Sequence, residues 1–335
     1  MAARKKAKAA PIRIHVENNP KTATVYYVTP ALFRKQLKKM PGMAAKIAVS
    51  FGDDPARLDA SLQEAEILLT GGFDASNLAE RAPRLKWIQS TSAGVEKLAP
   101  LVPSGVVLTN ASGVHIPKGG EYAMTALLML NHRVPHFVTA QREARWDQAF
   151  AGPIAGKTVV ILGVGSIGSA AARLARRFGM RVIGVSRSAK RNKLVDRMCG
   201  PKDLRKALPK ADFVLAILPL TGETRGLLGR AELDLLPRHA GLINLGRGPV
   251  IDNEALADKL RKGELSGAVL DVYPEEPLPS SSPLWATPNL IMSPHCAVDD
   301  ATAYAERALA VFLGNLKRYV AGRKLTNVVD TRLGY

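Results

Sequence analysis

Short apolar runs alternate along this chain with stretches whose apolar positions recur every three to four residues. IRIHVEN (12–18), KIAVSF (46–51), AEILLTG (65–71), LKWIQST (85–91) and the shorter VVLTN (106–110) read as strands. PALFRKQLKKM, PARLDASLQ and ASNLAERA read as the helices between them. Such alternation predicts a small α/β domain with a largely parallel sheet. A helical segment follows from Lys118 to Ala144, free of Gly and Pro between Glu121 and Val134. Pro135 should bend it or split it into a pair.

A second alternating series starts at Gly156. Its strands are TVVILGVG (158–165), RVIGVSR (181–187), DFVLAIL (212–218), GLINLG (241–246), GAVLDVY (267–273) and NLIMSPH (289–295). This is the pattern of a doubly wound parallel sheet. The last helix, Ala301 to Val320, is placed to run back to the first domain. No repeat of solenoid length is evident.

Composition adds bounds. At 335 residues the chain calls for two domains, and 47% hydrophobic with 23% charged residues is a soluble globular balance. The longest apolar run, AMTALLML (Ala123 to Leu130), is too short to span a bilayer, which needs roughly 18 to 20 residues. The opening MAARKKAKAA lacks the apolar core of a secretory signal, so Met1 to Ala10 reads as a loose basic tail. Cys199 and Cys296, far apart, suggest no disulfide framework and fit a reducing cytoplasm. The net charge of +18 raises the question of nucleic acid. Four of these charges sit in the tail (Arg4, Lys5, Lys6, Lys8) and the rest are scattered. Aromatic residues are only 5%, and no zinc-finger or RNA-binding signature interleaves with the cations. The expected partners are small anions, with no specific nucleic acid, no membrane and no metal.

The segment GVGSIG follows an apolar strand and opens the helix SIGSAAARLARRFG. In that context it reads as a dinucleotide-binding turn. Gly163 permits the tight turn, Gly165 lets a pyrophosphate approach the backbone, and Gly168 lets helix and strand pack closely. The amides of Ser166 and Ile167 would face the pyrophosphate at the helix N-terminus. An acidic residue for an adenosine ribose should lie about twenty residues onward. Ser186 and Arg187 stand there instead, and no Asp or Glu does. A hydroxyl and a guanidinium suit a 2′-phosphate, so NADP(H) is the preferred cofactor, with NAD(H) admitted. Lys190 and Arg191 add supporting field. The bland alternative is a solvated basic turn.

Three later strands end in useful chemistry: Arg247 in INLGRGPVIDNEAL, Asp271 and Glu276 in GAVLDVYPEEPLP, and His295 in LIMSPHCAV. In a doubly wound sheet these carboxyl ends border the ligand crevice. Singly, each has an ordinary reading as a surface ion pair, a structural histidine or a loop charge.

Together GVGSIG, LPLTGETRGLLG (218–229), INLGRGPVID, LDVYPEEPLP and SPHCA resemble the D-isomer-specific 2-hydroxyacid dehydrogenase family over nearly the whole chain. The Pro283–Trp285 PLW and the Ser186–Arg187 pair are most like its NADP-dependent glyoxylate/hydroxypyruvate reductases. The resemblance implies a Rossmann dinucleotide-binding domain, 118–296, inserted into a smaller flavodoxin-like α/β substrate domain, 1–117 and 297–335. Two crossings between domains imply hinge closure. It implies reduction of a small 2-keto acid to the D-2-hydroxy acid. Arg247 would hold the substrate carboxylate and His295 would be the acid/base. Glu276, rather than Glu275, would orient the imidazole and stabilise its charged form. Asp271 resembles the residue that contacts the nicotinamide amide. Leu218, Pro219, Leu245, Gly246, Arg247, His295 and Ala297 would complete the cofactor crevice. Ala93 and Gly94, in WIQSTSAGVEKL, would offer backbone amides to the substrate. A homodimer, with 118–150 embracing the partner, is also implied.

Some positions depart from the family pattern. Gly120-Glu121-Tyr122 stands where Ala-Glu-His/Tyr is frequent, Ser166 replaces a commoner Arg or Lys, and LGRG replaces the frequent A/S-R-G context. His115 and Cys296 read as structural, the latter small and buried. Trp146 and Trp285 are open to the pocket wall or the core. Two alternatives remain. One is an NAD-dependent, phosphoglycerate-type dehydrogenase. The other is a dinucleotide-sensing corepressor-like binding protein.

Overall fold

The computed structural model describes residues 10–19, 21–52 and 58–334. All but Ala10 of the basic tail, and the first three residues of PARLDASLQ, lie outside them. The chain forms two compact units, one from residues 1–114 and 300–335, the other His115–Asp299.

The first unit holds five strands among the described residues: β1 (Ile12–Glu17), β2 (Ile47–Gly52), β3 (Ile67–Thr70), β4 (Trp87–Ser90) and β5 (Val107–Thr109). Their order is β2-β1-β3-β4-β5, and every pairing is parallel. This is the flavodoxin-like order. The helix Tyr304–Val320 does return to this unit. Its Leu309, Phe312, Leu313 and Leu316 join Ile14, Val16 and Trp87 in one core. The Trp87 and Phe312 rings stack with centroids 5.2 Å apart.

The second unit holds seven: β6 (Thr158–Leu162), β7 (Arg181–Val185), β8 (Arg197–Cys199), β9 (Phe213–Ala216), β10 (Gly241–Asn244), β11 (Gly267–Leu270) and β12 (Leu290–Met292). The order is β12-β11-β10-β9-β6-β7-β8, again all parallel. Alternate residues feed two cores. Val160, Val214 and Leu242 face one, and Val159, Leu215 and Ile243 face the other. A sheet covered on both faces needs continuous apolar runs, which is why these strands were legible. Strand order reverses between β6 and β9, the switch point at which such sheets bind ligands.

Two details differ from expectation, and one alternative is decided. β8 has no apolar run, only RMC, and is held by pairing with β7. Of the two forms expected for the long helical segment the pair is found, Ile116–Asn131 and Val134–Arg142, with the break at the left-handed Arg133 (φ 57°) rather than at the proline. Pro135 sits in the first turn of the second helix, where a missing amide proton costs nothing. The unit boundaries fall three residues outside the expected 118 and 296. Val298 packs in the second unit's core, and His115 Nδ1 lies 3.2 Å from the Asp299 carboxylate.

Candidate active site

The glycine turn follows β6 and opens the helix Ser166–Arg177. Gly163 has φ +96°, and a Cβ there would run into the Ile217 carbonyl oxygen. A Cβ on Gly168 would strike the Gly163 carbonyl oxygen. Gly165 has open space where its Cβ would be. Two glycines therefore close the turn and the third leaves it accessible to an anion beside the amides of Ser166 and Ile167. Leu218 and Gly246 come from neighbouring strand ends, and a Cβ on Gly246 would press on the Leu218 backbone. The turns after β6, β9 and β10 thus pack together, with Pro219 and Leu245 beside them in the chain.

Ser186 follows β7, and its amide donates to the Cys199 carbonyl of β8 (3.1 Å). The unpredicted strand therefore secures the end of β7. Ser186 is half-buried; Arg187, Lys190 and Arg191 are exposed.

Arg247 leaves β10 half-buried, its Nη1 donating to the Gly246 carbonyl at 2.8 Å. Buried Asn244 braces this turn. Its Nδ2 donates to the Arg247 carbonyl, and its Oδ1 accepts from the Gly246 amide. Gly248 is required because a Cβ would occupy the backbone of Tyr273 and Pro274. The arginine turn can therefore lie against the segment that carries Glu276.

His295, after β12, has a left-handed backbone, φ 50°. Its Nδ1 lies 2.6 Å from Glu276 Oε2, while Glu276 Oε1 accepts from the Tyr273 amide at 2.9 Å. With Nδ1 facing the carboxylate, Nε2 is the nitrogen left for a reacting group. Asp271 is 1% exposed. Its Oδ1 accepts from Ser293 Oγ (2.7 Å) and from the amides of Cys296 and Ala297 (3.1 Å each). Its Oδ2 is buried without a partner among the described residues. Burial pushes this carboxyl above the ordinary range, opposed by those three donors and by His295.

The expected residues of the second unit therefore gather at consecutive carboxyl ends of one sheet. Asn244, Gly248, Tyr273 and Ser293 complete the arrangement and were missed from sequence, where only the Gly after Arg247 offered a signal. Ala93 and Gly94 lie after β4 of the first unit; Asn110 Nδ2 donates to the Ala93 carbonyl and steadies their loop. Several secondary expectations need correction. Cys296 is exposed rather than buried. Its thiol is raised by loss of solvation and by the nearby carboxylates of Asp271 and Asp299, so it carries no sign of activation. Trp146 is 94% exposed, so it fills no core. Trp285 is half-exposed, and its indole donates to the Pro279 carbonyl. No helix of the described residues is long and apolar enough to cross a membrane.

A pyrophosphate-ready turn beside an Arg, Glu and His at strand ends defines an NAD(P)-dependent oxidoreductase. Residues 124–297 match the model of the D-isomer specific 2-hydroxyacid dehydrogenase NAD binding domain. Over 280 residues the chain is 35% identical to glyoxylate reductase of Aeropyrum pernix, covering 78% of this chain and 81% of that one. A D-isomer specific 2-hydroxyacid dehydrogenase from Xanthobacter autotrophicus Py2, solved with NADPH and MES, superposes with TM-score 0.80 at 31% identity, covering 98% of this chain and all of that one. An NADPH-dependent glyoxylate/hydroxypyruvate reductase from Sinorhizobium meliloti, in complex with NADP and sulfate, gives 0.81 at 28%, covering 97% of this chain and all of that one. The chain belongs to the D-isomer-specific 2-hydroxyacid dehydrogenase family.

Proposed function

We propose that this protein reduces a small 2-keto acid, glyoxylate or hydroxypyruvate in the first instance, to the D-2-hydroxy acid with NADPH. The observation that carries the reading is the 2.6 Å His295–Glu276 pair at the strand ends that also hold Arg247 and the open Gly165 turn. The residues present fit a nicotinamide dinucleotide. Gly165, Ser166 and Ile167 suit its pyrophosphate, and Asp271 Oδ2, without a partner among the described residues, suits an amide donor. Bound there, the dinucleotide supplies a hydride to the keto carbon.

The chain's own groups do the rest. Arg247 holds the substrate carboxylate and draws electron density from the keto oxygen. Glu276 accepts from Nδ1 and orients the ring. His295 delivers the Nε2 proton to the keto oxygen, and in the reverse direction takes it from the alcohol. The amides of Ala93 and Gly94 are assigned to the substrate carboxylate on the family pattern.

The NADPH preference rests on Ser186 and exposed Arg187 at the end of β7, where the sequence places no Asp or Glu. The NADPH and NADP complexes of two structural relatives point the same way. A homodimer is part of the proposal. Trp146 and Phe150, after the helix Val134–Arg142, are 94% and 87% exposed, as a partner-embracing arm would be. Free thiols at Cys199 and Cys296 suit a reducing cytoplasm.

A steady-state screen of 2-keto acids against both cofactors tests the activity. Oxidation of NADPH by glyoxylate or hydroxypyruvate is expected, at higher kcat/KM than with NADH. No oxidation of either cofactor by any keto acid would sink the reading.

A further inference from the structure

Behind the reacting histidine, three polar side chains form a line. Tyr122 lies on the helix Ile116–Asn131, Ser293 just past β12, and Asp271 just past β11. Tyr122 Oη is 3.2 Å from Ser293 Oγ, which is 2.7 Å from Asp271 Oδ1. An ionised carboxylate only accepts, so Ser293 donates to Asp271 and its oxygen accepts from Tyr122. Burial raises the Tyr122 phenol above its ordinary value, which keeps the proton that this bond needs.

Two further donors, the amides of Cys296 and Ala297, reach the same Asp271 oxygen. They belong to the turn that begins at left-handed His295. Asp271 therefore uses one oxygen to tie down the histidine turn and keeps the other, buried and without a partner among the described residues, in reserve. The packing that brings Tyr122 here is specific. On its helix, a Cβ on Gly119 would crowd Ile167 and one on Gly120 would crowd Ala170, both on the cofactor helix. The glycine of Gly120-Glu121-Tyr122 thus allows the close approach that sets the tyrosine beside Ser293.

We infer that Tyr122 and Ser293 are positioning residues: their hydroxyls hold Asp271 so that Oδ1 fixes the 295–297 turn and Oδ2 faces an amide donor of the dinucleotide. The inference rests on the proposed function only in taking a nicotinamide carboxamide as that donor. Without the Ser293 hydroxyl, Asp271 loses a donor that opposes its burial. It then protonates more readily and rotates more freely, and both the turn and Oδ2 lose definition.

The test compares Tyr122→Phe, Ser293→Ala, Ser293→Thr and the Tyr122→Phe/Ser293→Ala double variant with the wild-type chain. Three quantities are read: NADPH dissociation constant without substrate, the NMR titration of the His295 ring in the unliganded protein, and kcat with glyoxylate. Ser293→Ala should weaken NADPH about tenfold, as loss of a hydrogen bond to a charged group does, lower kcat and displace the His295 titration. Tyr122→Phe should lose about threefold. Ser293→Thr, which keeps the hydroxyl, should recover most of the binding. The double variant should be no worse than Ser293→Ala, because Tyr122 acts only through Ser293. Additive losses in the double variant, or a threonine as damaging as the alanine, would overturn the inference. So would unchanged NADPH affinity together with an unchanged His295 titration. A wild-type chain that binds NADPH yet turns over no keto acid would defeat the substrate reading alone, since binding and ring titration still decide this network.

Discussion

His295 combines a strained backbone with a defined hydrogen bond, and each constrains the other. A left-handed φ of 50° is uncommon outside glycine, so the turn must be held from elsewhere. Asp271 Oδ1 does so from behind and Glu276 from the side. On the proposed role, His295→Gln should cut kcat by a factor of about 10² or more, the usual size of general acid catalysis, while NADPH affinity stays within a few-fold. Near-normal kcat would remove it as the acid. Arg187→Ala should weaken NADPH by about tenfold or more and leave NADH almost unchanged, as loss of a charge-assisted phosphate contact would. Equal losses for both cofactors, by equilibrium titration, would end the 2′-phosphate assignment.

Among elements, the helix Tyr304–Val320 is preceded by an acidic turn whose effect depends on pH. Asp300 Oδ1 accepts from the Thr302 hydroxyl (2.6 Å) and amide (2.9 Å), and its other oxygen pairs with Arg307 at 2.7 Å. These contacts, the Thr302 hydroxyl first, hold its carboxyl far below the ordinary range. The folded chain therefore takes up this proton less readily than the unfolded one. The stabilisation is complete above the unfolded carboxyl value and is lost as pH falls through the lower folded one. Asp300→Asn should lower Tm near neutrality, and the gap to wild type should narrow below about pH 4. A gap that stays constant in acid would refute the assignment. At the helix Ile116–Asn131, Gly120→Val should lower Tm by about 2–8 °C through overpacking on Ala170, with weaker NADPH binding.

For the whole molecule, the exposed arm bears on assembly. On the proposed homodimer, Trp146→Ala with Phe150→Ser should shift the assembly toward monomer in sedimentation velocity without unfolding either unit, because neither side chain joins a core. An unchanged sedimentation coefficient at low protein concentration would exclude the arm as the contact. The connection of the units is also a property of the whole chain. The first unit is closed only when Leu309, Phe312 and Leu316 return to Ile14 and Trp87, so truncation before Tyr304 should expose its core.

Much of this was legible in the chain itself. Apolar runs such as TVVIL and GAVL must be strands covered on both faces, and a parallel sheet puts all their carboxyl ends on one edge. Gly163, Arg247, Glu276 and His295 could therefore be grouped from sequence alone. Their local patterns are short and carried by neighbours in the chain. What tertiary structure decided depends on residues far apart. Tyr122 meets Ser293 across 171 positions, and no periodicity encodes that contact. β8 exists because β7 offers it a ladder, not because RMC is apolar. The break at Arg133 lies before the proline that announced it. Gly248 is needed only because the Tyr273 backbone passes there. Local pattern determined which segments form elements and which edge bears the chemistry. Close packing between distant elements decided which hydroxyls stand behind Asp271, and so how the histidine turn is held.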